Sequence, residues 1–306
     1  MVDVTLPEGV QVFERGWLSS NNVLFVGKEG CALVDSGYCM HSAQTLELIE
    51  AALDRRPLDF LLNTHLHSDH CGGNAALQSR YPELQTLIPP GMARYVEHWD
   101  PVALTYVPTG QQCPQFRISG VFEPGAAITL GGLPWDVLAA PGHDPHSIIL
   151  FEPKSRTLIS ADAFWEDGFG VVFPELEGQS AFEEVAATLD VIESLHPLVV
   201  IPGHGRVFSY GERSLSTARR RLEGFAKDPA RHARHAAKVL LKFKLLELQQ
   251  LTLTDFTAWA LVTPYFTLVQ QRWFPDVEAA SWVRELAFDL ARSGAARLEA
   301  DTIFNA

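Results

Sequence analysis

The sequence predicts an α/β fold, β-sheets covered by helices, followed by a helical C-terminal region. Three observations predict it. Over the first two thirds, short apolar and β-branched runs alternate with turns and a few helical segments; several of those runs end directly in His or Asp; and from about residue 215 Gly and strand-like runs thin out while Ala, Leu, Arg and Lys dominate. The 306 residues are 47% hydrophobic and 20% charged, which is material for one large domain and a smaller one. We draw the boundary so that residues 1–212 form the sheet domain and 213–306 the helical one.

Taken in order, residues 22–26 and 30–34 read as paired strands. Residues 42–53 have the apolar spacing of a helix, and 58–63 form a buried strand that ends on a histidine-rich run. Further strands are expected over 84–88, 127–130, 135–139, 147–151 and 157–160, with a helix over 181–194 leading into a strand at 199–201. Loops at strand ends are where a rigid scaffold presents chemistry, so these elements predict a site along one edge of the sheets. In the tail, Pro229 and Pro264 punctuate the helices, Thr254 is expected to cap a helix over 255–261, and 276–292 reads as an amphipathic helix. The helix-turn-helix pattern over 240–261 resembles a winged-helix skeleton. No internal repeat or low-complexity segment interrupts the chain.

The formal charge of -13 argues against a nucleic-acid partner, because such surfaces concentrate Lys and Arg to displace phosphate counterions. Residues 1–13 carry acidic residues and Pro7 where an export signal needs a basic flank and an apolar core, and no stretch reaches membrane-spanning length. Cys31, Cys39, Cys71 and Cys113 lack metal-type or framework spacing and read as reduced thiols. The expectation is a cytoplasmic protein with a small-molecule substrate.

The run Thr64-His65-Leu66-His67-Ser68-Asp69-His70 carries the densest chemistry, with His65, His67, Asp69 and His70 directly after a strand. Residues two apart project to the same side, so His65 and His67 can grip one ion while Asp69 and His70 reach a second. Four such groups at an apolar strand end would cost desolvation energy unless paired or metal-bound. Three later segments have the same form, a strand ending in a small turn that presents one ligand: Ala140-Pro141-Gly142-His143, Ile159-Ser160-Ala161-Asp162 and Ile201-Pro202-Gly203-His204-Gly205. Each alone is an ordinary turn. Their force is joint.

With these residues in place the sequence resembles the metallo-β-lactamase superfamily, whose pattern is His-x-His-x-Asp-His followed by a His, an Asp and a His. The resemblance runs over roughly residues 10–212 and fills every ligand position. It implies a four-layer αββα sandwich, two packed sheets flanked by helices, with the site on one edge. Carried onto this chain, it implies that His65, His67 and His143 hold one ion, that Asp69, His70 and His204 hold the other, and that Asp162 bridges them. Two divalent ions sharing Asp162 can share a water acidified to near neutrality, whose hydroxide attacks a carbonyl while Asp69 orients it. Nitrogen and oxygen ligands suit zinc, with iron and manganese the alternatives. Asp35 in Leu33-Val34-Asp35-Ser36-Gly37 resembles a family carboxylate that supports ligand histidines; a turn aspartate is the competing reading. Thr64 and Ser68 tie down the loop.

Around this set, Trp165 and Phe169 are expected to wall an apolar pocket, whereas Phe164 is expected in the core. His146 departs from the family, which more often has glycine there, and is either a pocket residue or a surface hydrogen-bonding group. Asp144 reads as a turn residue and Cys71 as buried packing. Arg219, Arg220 and Arg221 read as a solvated helix face, and His232 with His235, at i, i+3, are too few for a metal site. Tyr265, Phe266, Trp273, Phe274 and Trp282 are enough aromatics to pack the tail onto the sheet domain or a second subunit, so a homodimer is among the expectations.

A helical region after the last Pro-Gly-His is similar in plan to glyoxalase II, to lactonases and to β-lactamase-like proteins with a winged-helix tail. The basic groups glyoxalase II uses for glutathione are not identifiable, so the expected substrate is a small ester, thioester or lactone. A true β-lactamase is disfavoured by the N-terminus and by Asp162 where zinc β-lactamases often place cysteine or serine. The alternatives are a persulfide dioxygenase with a single iron, disfavoured by the presence of Asp69, His70 and His204, and a ligand-sensing regulator whose tail binds DNA or a partner, disfavoured by the lack of a basic helix.

Overall fold

The computed structural model describes residues 5–306; residues 1–4, which begin the segment 1–13 considered above, lie outside the described residues. A six-stranded sheet holds β1 (Val10–Phe13), β2 (Asn22–Gly27), β3 (Gly30–Val34), β4 (Phe60–Leu62), β5 (Gln85–Ile88) and β6 (Gly120–Val121) in that order. Its first three strands are antiparallel and β3 to β6 run parallel. A second six-stranded sheet holds β7 (Ala127–Leu130), β8 (Leu133–Ala139), β9 (Ile148–Glu152), β10 (Thr157–Ala161), β11 (Val199–Pro202) and β12 (Phe208–Ser209), with β10 and β11 its one parallel pair. Helices α1 (Ser42–Leu53), α2 (Ser68–Cys71) and α3 (Asn74–Arg80) follow β3 and β4; α4 (Ala93–Glu97) and α5 (Tyr106–Thr109) interrupt the β5–β6 connection; α6 (Phe173–Glu177) and α7 (Phe182–Leu195) join β10 to β11.

Two-residue alternation decides which face each strand buries. Val23, Phe25, Ala32 and Val34 turn toward the second sheet and meet Trp135, Val137, Leu150, Ile159 and Ile201. Phe25 stacks edge-on against Trp135, with ring centroids 5.3 Å apart. The intervening Leu24, Leu33 and Leu61 face outward onto Ile49 and Leu53 of α1 and Leu77 of α3. On the other side Ile149, Leu158 and Val200 lie under Leu189 and Ile192 of α7, with Leu215 and Leu222 from α8 (Glu212–Lys227). The layers are helix, sheet, sheet, helix, the αββα order expected. The strands foreseen between residues 22 and 201 lie where the sequence places them to within a residue or two; β1, β6 and β12 are short, half-exposed edge strands without a readable alternation.

Strand β10 is irregular at its end. Its pairing with β11 slips between Ile159 and Ala161, and Ala161 takes a left-handed φ of 46°. That conformation is costly for a residue with a β-carbon, and it turns the chain off the strand at Asp162.

After α8 the chain forms α9 (Pro229–Leu248), β13 (Gln250–Thr252), α10 (Leu253–Val262), α11 (Pro264–Trp273), α12 (Ala279–Arg292), β14 (Ala296–Glu299) and β15 (Thr302–Asn305). A three-stranded sheet of order β13-β15-β14 stands beside these helices, with β14 and β15 paired antiparallel as a hairpin, so the tail is not helical alone; three helices separate β13 from that hairpin. Pro229 and Pro264 sit in the first turns of α9 and α11, where a missing N–H costs nothing. Leu240, Leu241, Leu245, Phe256, Trp282 and Ile303 form the centre of the tail's core. Phe173 and Leu176, from α6, reach it from the sheet side.

The cap of α10 corrects an expectation. Thr252, not Thr254, is the N-cap: its Oγ1 accepts from Asp255 N at 3.0 Å and donates to Asp255 Oδ2 at 2.8 Å. The extended Thr252, the last residue of β13, is the one able to turn its oxygen back on the first turn. Thr252→Ala is expected to lower stability by about 1 kcal/mol, read as a lower urea midpoint.

His232 and His235 do not converge on a common ligand position. Buried His232 accepts from Val172 N through Nε2 at 3.1 Å, and His235 Nε2 receives Arg221 at 2.8 Å. Burial, then Arg221, lowers His232 to about 4 and His235 to about 3, so both are neutral in the folded protein. The unfolded chain takes up these protons below about pH 6.5 and the folded protein only near pH 4 and below, so stability is full above about pH 6.5 and is lost as pH falls from there to about 4. The expected slope is up to about 1.4 kcal/mol per pH unit per histidine. Urea unfolding at pH 7 and pH 5 should show a smaller loss for His232→Gln than for the unaltered protein.

Candidate metal centre

Five strands deliver their last residues to one edge of the sandwich. Asp35 follows β3, His65 follows β4, His143 follows β8, Asp162 follows β10 and His204 follows β11. Strands β3, β4, β10 and β11 run in parallel pairs within their sheets, and β8 regains the direction of β10 through two antiparallel pairings. The turns need small residues. A β-carbon on Gly203 would stand 2.1 Å from Asp162 Oδ1, and one on Gly142, at φ 134°, would stand 2.5 Å from Val185 Cγ2.

Asp35 is the fixed point of the site. It is 3% exposed, with φ at 58°, a left-handed conformation that aspartate tolerates. Its Oδ1 accepts from Thr64 N at 2.9 Å, and its Oδ2 accepts from Thr64 Oγ1 and from His70 Nδ1, both at 2.8 Å. Thr64 Oγ1 then accepts from His65 Nδ1 at 3.1 Å, and Val171 O accepts from His143 Nδ1 at 2.5 Å. Once Nδ1 of His65 and His143 is spent as a donor, the neutral ring leaves Nε2 as a lone pair turned inward. Two buried nitrogens, His70 Nε2 and His204 Nδ1, have no hydrogen-bond partner among the described residues.

Those inward nitrogens crowd together. His67 Nδ1 lies 3.1 Å from His65 Nε2 and 2.8 Å from His143 Nε2. Burial and then the neighbouring histidines hold His65 well below the usual imidazole range and His143 at about 4, so neither ring carries a second proton to donate. One proton on His67 Nδ1 can serve only one of these two contacts, so at least one pair of nitrogens meets without a proton between them, and a cation among the lone pairs turns that repulsion into attraction. The carboxylates complete the pattern. Asp162 lies 3.4 Å from both His70 Nε2 and His143 Nε2 and 3.9 Å from His204 Nε2, while Asp69 Oδ2 is 3.1 Å from His204 Nε2.

Burial opposes charge on His70, yet Asp35 and Asp162 on its two sides outweigh it and raise its pKa well above the imidazole range. Burial likewise would raise both aspartates, but the hydrogen bond from His204 lowers Asp69 and the charge of His70 lowers Asp162. The field calls for positive charge in the space these groups enclose. Three sets have ligand atoms mutually within 4.8 Å, namely His65, His67 and His143; His65, His70 and Asp162; and Asp69, His70 and His204. The donor set therefore fits divalent ions held by nitrogen and oxygen.

A loop at residues 19–22, which sequence reasoning passed over, locks the edge together. Ser20 N donates to Asp69 O at 2.9 Å and Asn21 N to Gly203 O at 2.7 Å, while Asn21 Nδ2 donates to Pro202 O and Gly205 O. Before that loop, Trp17 stacks on His204 at 5.5 Å and meets Trp165 edge-on at 5.4 Å. Both tryptophans line a cavity of about 440 Å³ over the histidines, and Phe173, whose ring is 4.9 Å from that of His67, and Phe243 line it too. Nothing in the local pattern marks Trp17; its 57% exposure in a loop is the one unusual feature, and it is a structural one.

Other expected pocket residues are placed differently. Phe169 is 1% exposed and packs against Phe225 and Arg221 behind the cavity wall, because the turn at Gly168 points it inward. The His146 ring lies over Gly91 and does not line the cavity, and its backbone N donates to Asp144 Oδ1, which makes Asp144 the turn residue expected. Phe164 is in the core and Cys71 is buried, its Sγ 3.2 Å from Tyr106 Oη and 3.8 Å from Cys113 Sγ. The arginine triplet divides: Arg219 is exposed and pairs with Asp190 and Glu193, but Arg221 is turned inward to the cavity, so the solvated-face reading fails for it.

The sequence pattern of the metallo-beta-lactamase superfamily matches residues 15–204. The chain is 29% identical over 215 residues to a hydroxyacylglutathione hydrolase of Brucella anthropi, a match that takes in 68% of this chain and 65% of that protein. The chain thus spans somewhat under two thirds of the relative's length. Its fold is similar to that of a metallo-beta-lactamase family protein from Thermus thermophilus, with a TM-score of 0.55 at 19% identity over 99% of this chain and 100% of that one. It is also similar to a protein solved in a di-iron-bound form, with a TM-score of 0.51 at 25% identity over 68% of this chain and 96% of that one.

Proposed function

This chain belongs to the metallo-beta-lactamase superfamily, and from that premise we propose that it is a hydrolase dependent on two divalent metal ions, acting on a small ester, thioester or lactone. The observation that carries the reading is the facing of histidine nitrogens at 2.8 and 3.1 Å across His65, His67 and His143, beside two carboxylates. In this reading His65, His67 and His143 hold one ion, Asp69, His70 and His204 hold the other, and Asp162 reaches both. Zinc suits the nitrogen and oxygen donors, and the similarity to a protein solved with two irons supports the dinuclear reading while keeping iron as the alternative. The resemblance to a hydroxyacylglutathione hydrolase supports a thioester among the candidate substrates.

Bound metal supplies Lewis acidity to a substrate carbonyl and lowers the pKa of a water to about 7. The remaining work falls to the chain. Asp35 keeps His70 in the Nδ1–H tautomer and, through Thr64, does the same for His65. Asp69, at the cavity wall, has a carboxylate oxygen to orient the attacking water and take its proton. Trp17 and Trp165 wall the opening and reduce the water that reaches the histidines. The same reading puts the protein in the cytoplasm, where its four free cysteines stay reduced.

The test is a metal analysis of protein loaded with zinc or iron, followed by p-nitrophenyl esters, lactones, acyl-glutathiones and nitrocefin. Two metal equivalents with cleavage of an ester, lactone or thioester is the expected result. A single iron with oxygen uptake in the presence of a persulfide, or loaded protein inert toward all four classes, overturns it.

A further inference from the structure

The cavity over the histidines does not end at its apolar wall. Arg221, His235 and Lys238 line it and also line an adjoining hollow of about 420 Å³, whose other walls include Arg220, Arg231 and Arg234. Among the described residues no aspartate or glutamate lines that hollow, in a protein whose formal charge is -13. Arg234 is neutralised by Asp289 at 2.7 Å and Glu285 at 3.8 Å. Arg220, Arg221, Arg231 and Lys238 form no ion pair among the described residues.

Arg221 is the informative member. Its guanidinium lies 5.4 Å from the rings of Phe169 and Phe225, one terminal nitrogen donates to neutral His235 at 2.8 Å, and its buried Nε has no partner among the described residues. Holding a guanidinium out of water without a carboxylate is expensive, and aromatic faces return only part of the cost. A group in that position is matched when an anion arrives. The geometry of the rest agrees, since guanidinium forks meet phosphate oxygens two at a time and four free cations exceed what one carboxylate requires. Between the hollow and the histidines, Val239, Leu240 and Phe243 give the cavity an apolar flank suited to a slim, uncharged chain.

On the reading of this centre as a hydrolase, we propose that its substrate is an acyl thioester whose thiol arm ends in phosphate, of the coenzyme A class. The acyl carbonyl lies at the histidine cluster, the arm follows the apolar flank, and the phosphates lie among Arg220, Arg221, Arg231 and Lys238. Water adds across the acyl C–S bond; a C–O bond forms, the C–S bond breaks, and the products are a carboxylate, the free thiol and one proton released to solvent.

The test uses zinc-loaded protein and the double variant Arg231→Ala with Lys238→Ala, both residues of α9 that line the hollow. Coenzyme A and pantetheine are titrated calorimetrically, and kcat/KM is measured for acetyl-coenzyme A, acetylpantetheine and S-acetylglutathione. Coenzyme A is expected to bind at least about tenfold more tightly than pantetheine, and acetyl-coenzyme A to have a KM lower by a similar factor. Both ratios should shrink at least about fivefold in the double variant, and in the unaltered protein as sodium chloride is raised. Equal binding of coenzyme A and pantetheine, or ratios untouched by the double variant, overturns the proposal. A preference for S-acetylglutathione with the same sensitivity overturns the phosphate assignment in favour of a carboxylate arm. If coenzyme A binds as expected but no thioester is cleaved, this substrate assignment fails while the hydrolase reading stands or falls with the ester and lactone assays, and thioester cleavage without preference likewise leaves that reading standing and removes this one.

Discussion

Asp162→Ala is expected to leave the sandwich folded, to lose at least one of two bound metal equivalents, and to reduce kcat/KM by more than about 100-fold. The size follows from comparison: removing a group that merely supports a metal ligand costs roughly 10- to 100-fold in affinity or activity, and Asp162 itself faces the site. It lies within 3.4 Å of His70 and His143 and 3.9 Å of His204, so its loss leaves three imidazoles without the carboxylate that balances an ion. Its side chain hangs off the end of β10, outside the packed layers, so far-ultraviolet circular dichroism should not change. Metal content by atomic emission and turnover on the substrate found in the screen are the measurements. Unchanged metal content with full activity would remove Asp162 from the ligand set.

The second large effect is expected at Asp35, which touches no substrate. Asp35→Asn replaces one carboxylate oxygen with an amide that donates, so either Thr64 or His70 meets a donor where it had an acceptor. His70 then gains by moving its proton to Nε2, the nitrogen needed inside the site. Metal affinity should fall by about 10- to 100-fold, measured by competition with a chromophoric chelator, and excess metal should restore part of the activity. Asp35→Ala adds an unpaired buried N–H and is expected to cost about 1–3 kcal/mol of stability as well. If Asp35 were only a turn residue, Asp35→Asn would bind metal normally.

The legible part of this protein lies where a residue type has one economical explanation. Four metal-type side chains within six positions after a strand, and three small turns each offering one more, left little room for another reading; the strands were legible as apolar runs, but Val23-Leu24-Phe25-Val26 is apolar throughout, so which face meets which layer was not. What escaped was set by contacts distant in sequence. Trp17 joins the site because residues 19–22 are pinned to residues 69 and 202–205, a pairing with no local signal. Arg221 reads on its helix like Arg219, and only the approach of α9 and of Phe169 takes it out of solvent. The tail's three strands are three or four residues long and carry little periodicity, so its sheet was hidden among helices. His146 and Phe169 were judged by nearness in sequence to ligands, and a turn at each sends the side chain elsewhere.

The irregular end of β10 bears on how this chain tolerates insertions and deletions. In an unbroken strand, side chains of one parity share a face, and position 162 has the parity of Leu158, which lies beneath the helix layer. The left-handed Ala161 breaks that count and sends Asp162 to the sheet's rim. Loss of one residue between 159 and 161 would therefore preserve hydrophobic composition and the sandwich while sending the carboxylate toward apolar packing. The centre is thus set by arithmetic as much as by chemistry, and a chain one residue shorter at this point is expected to keep the architecture and lose the centre.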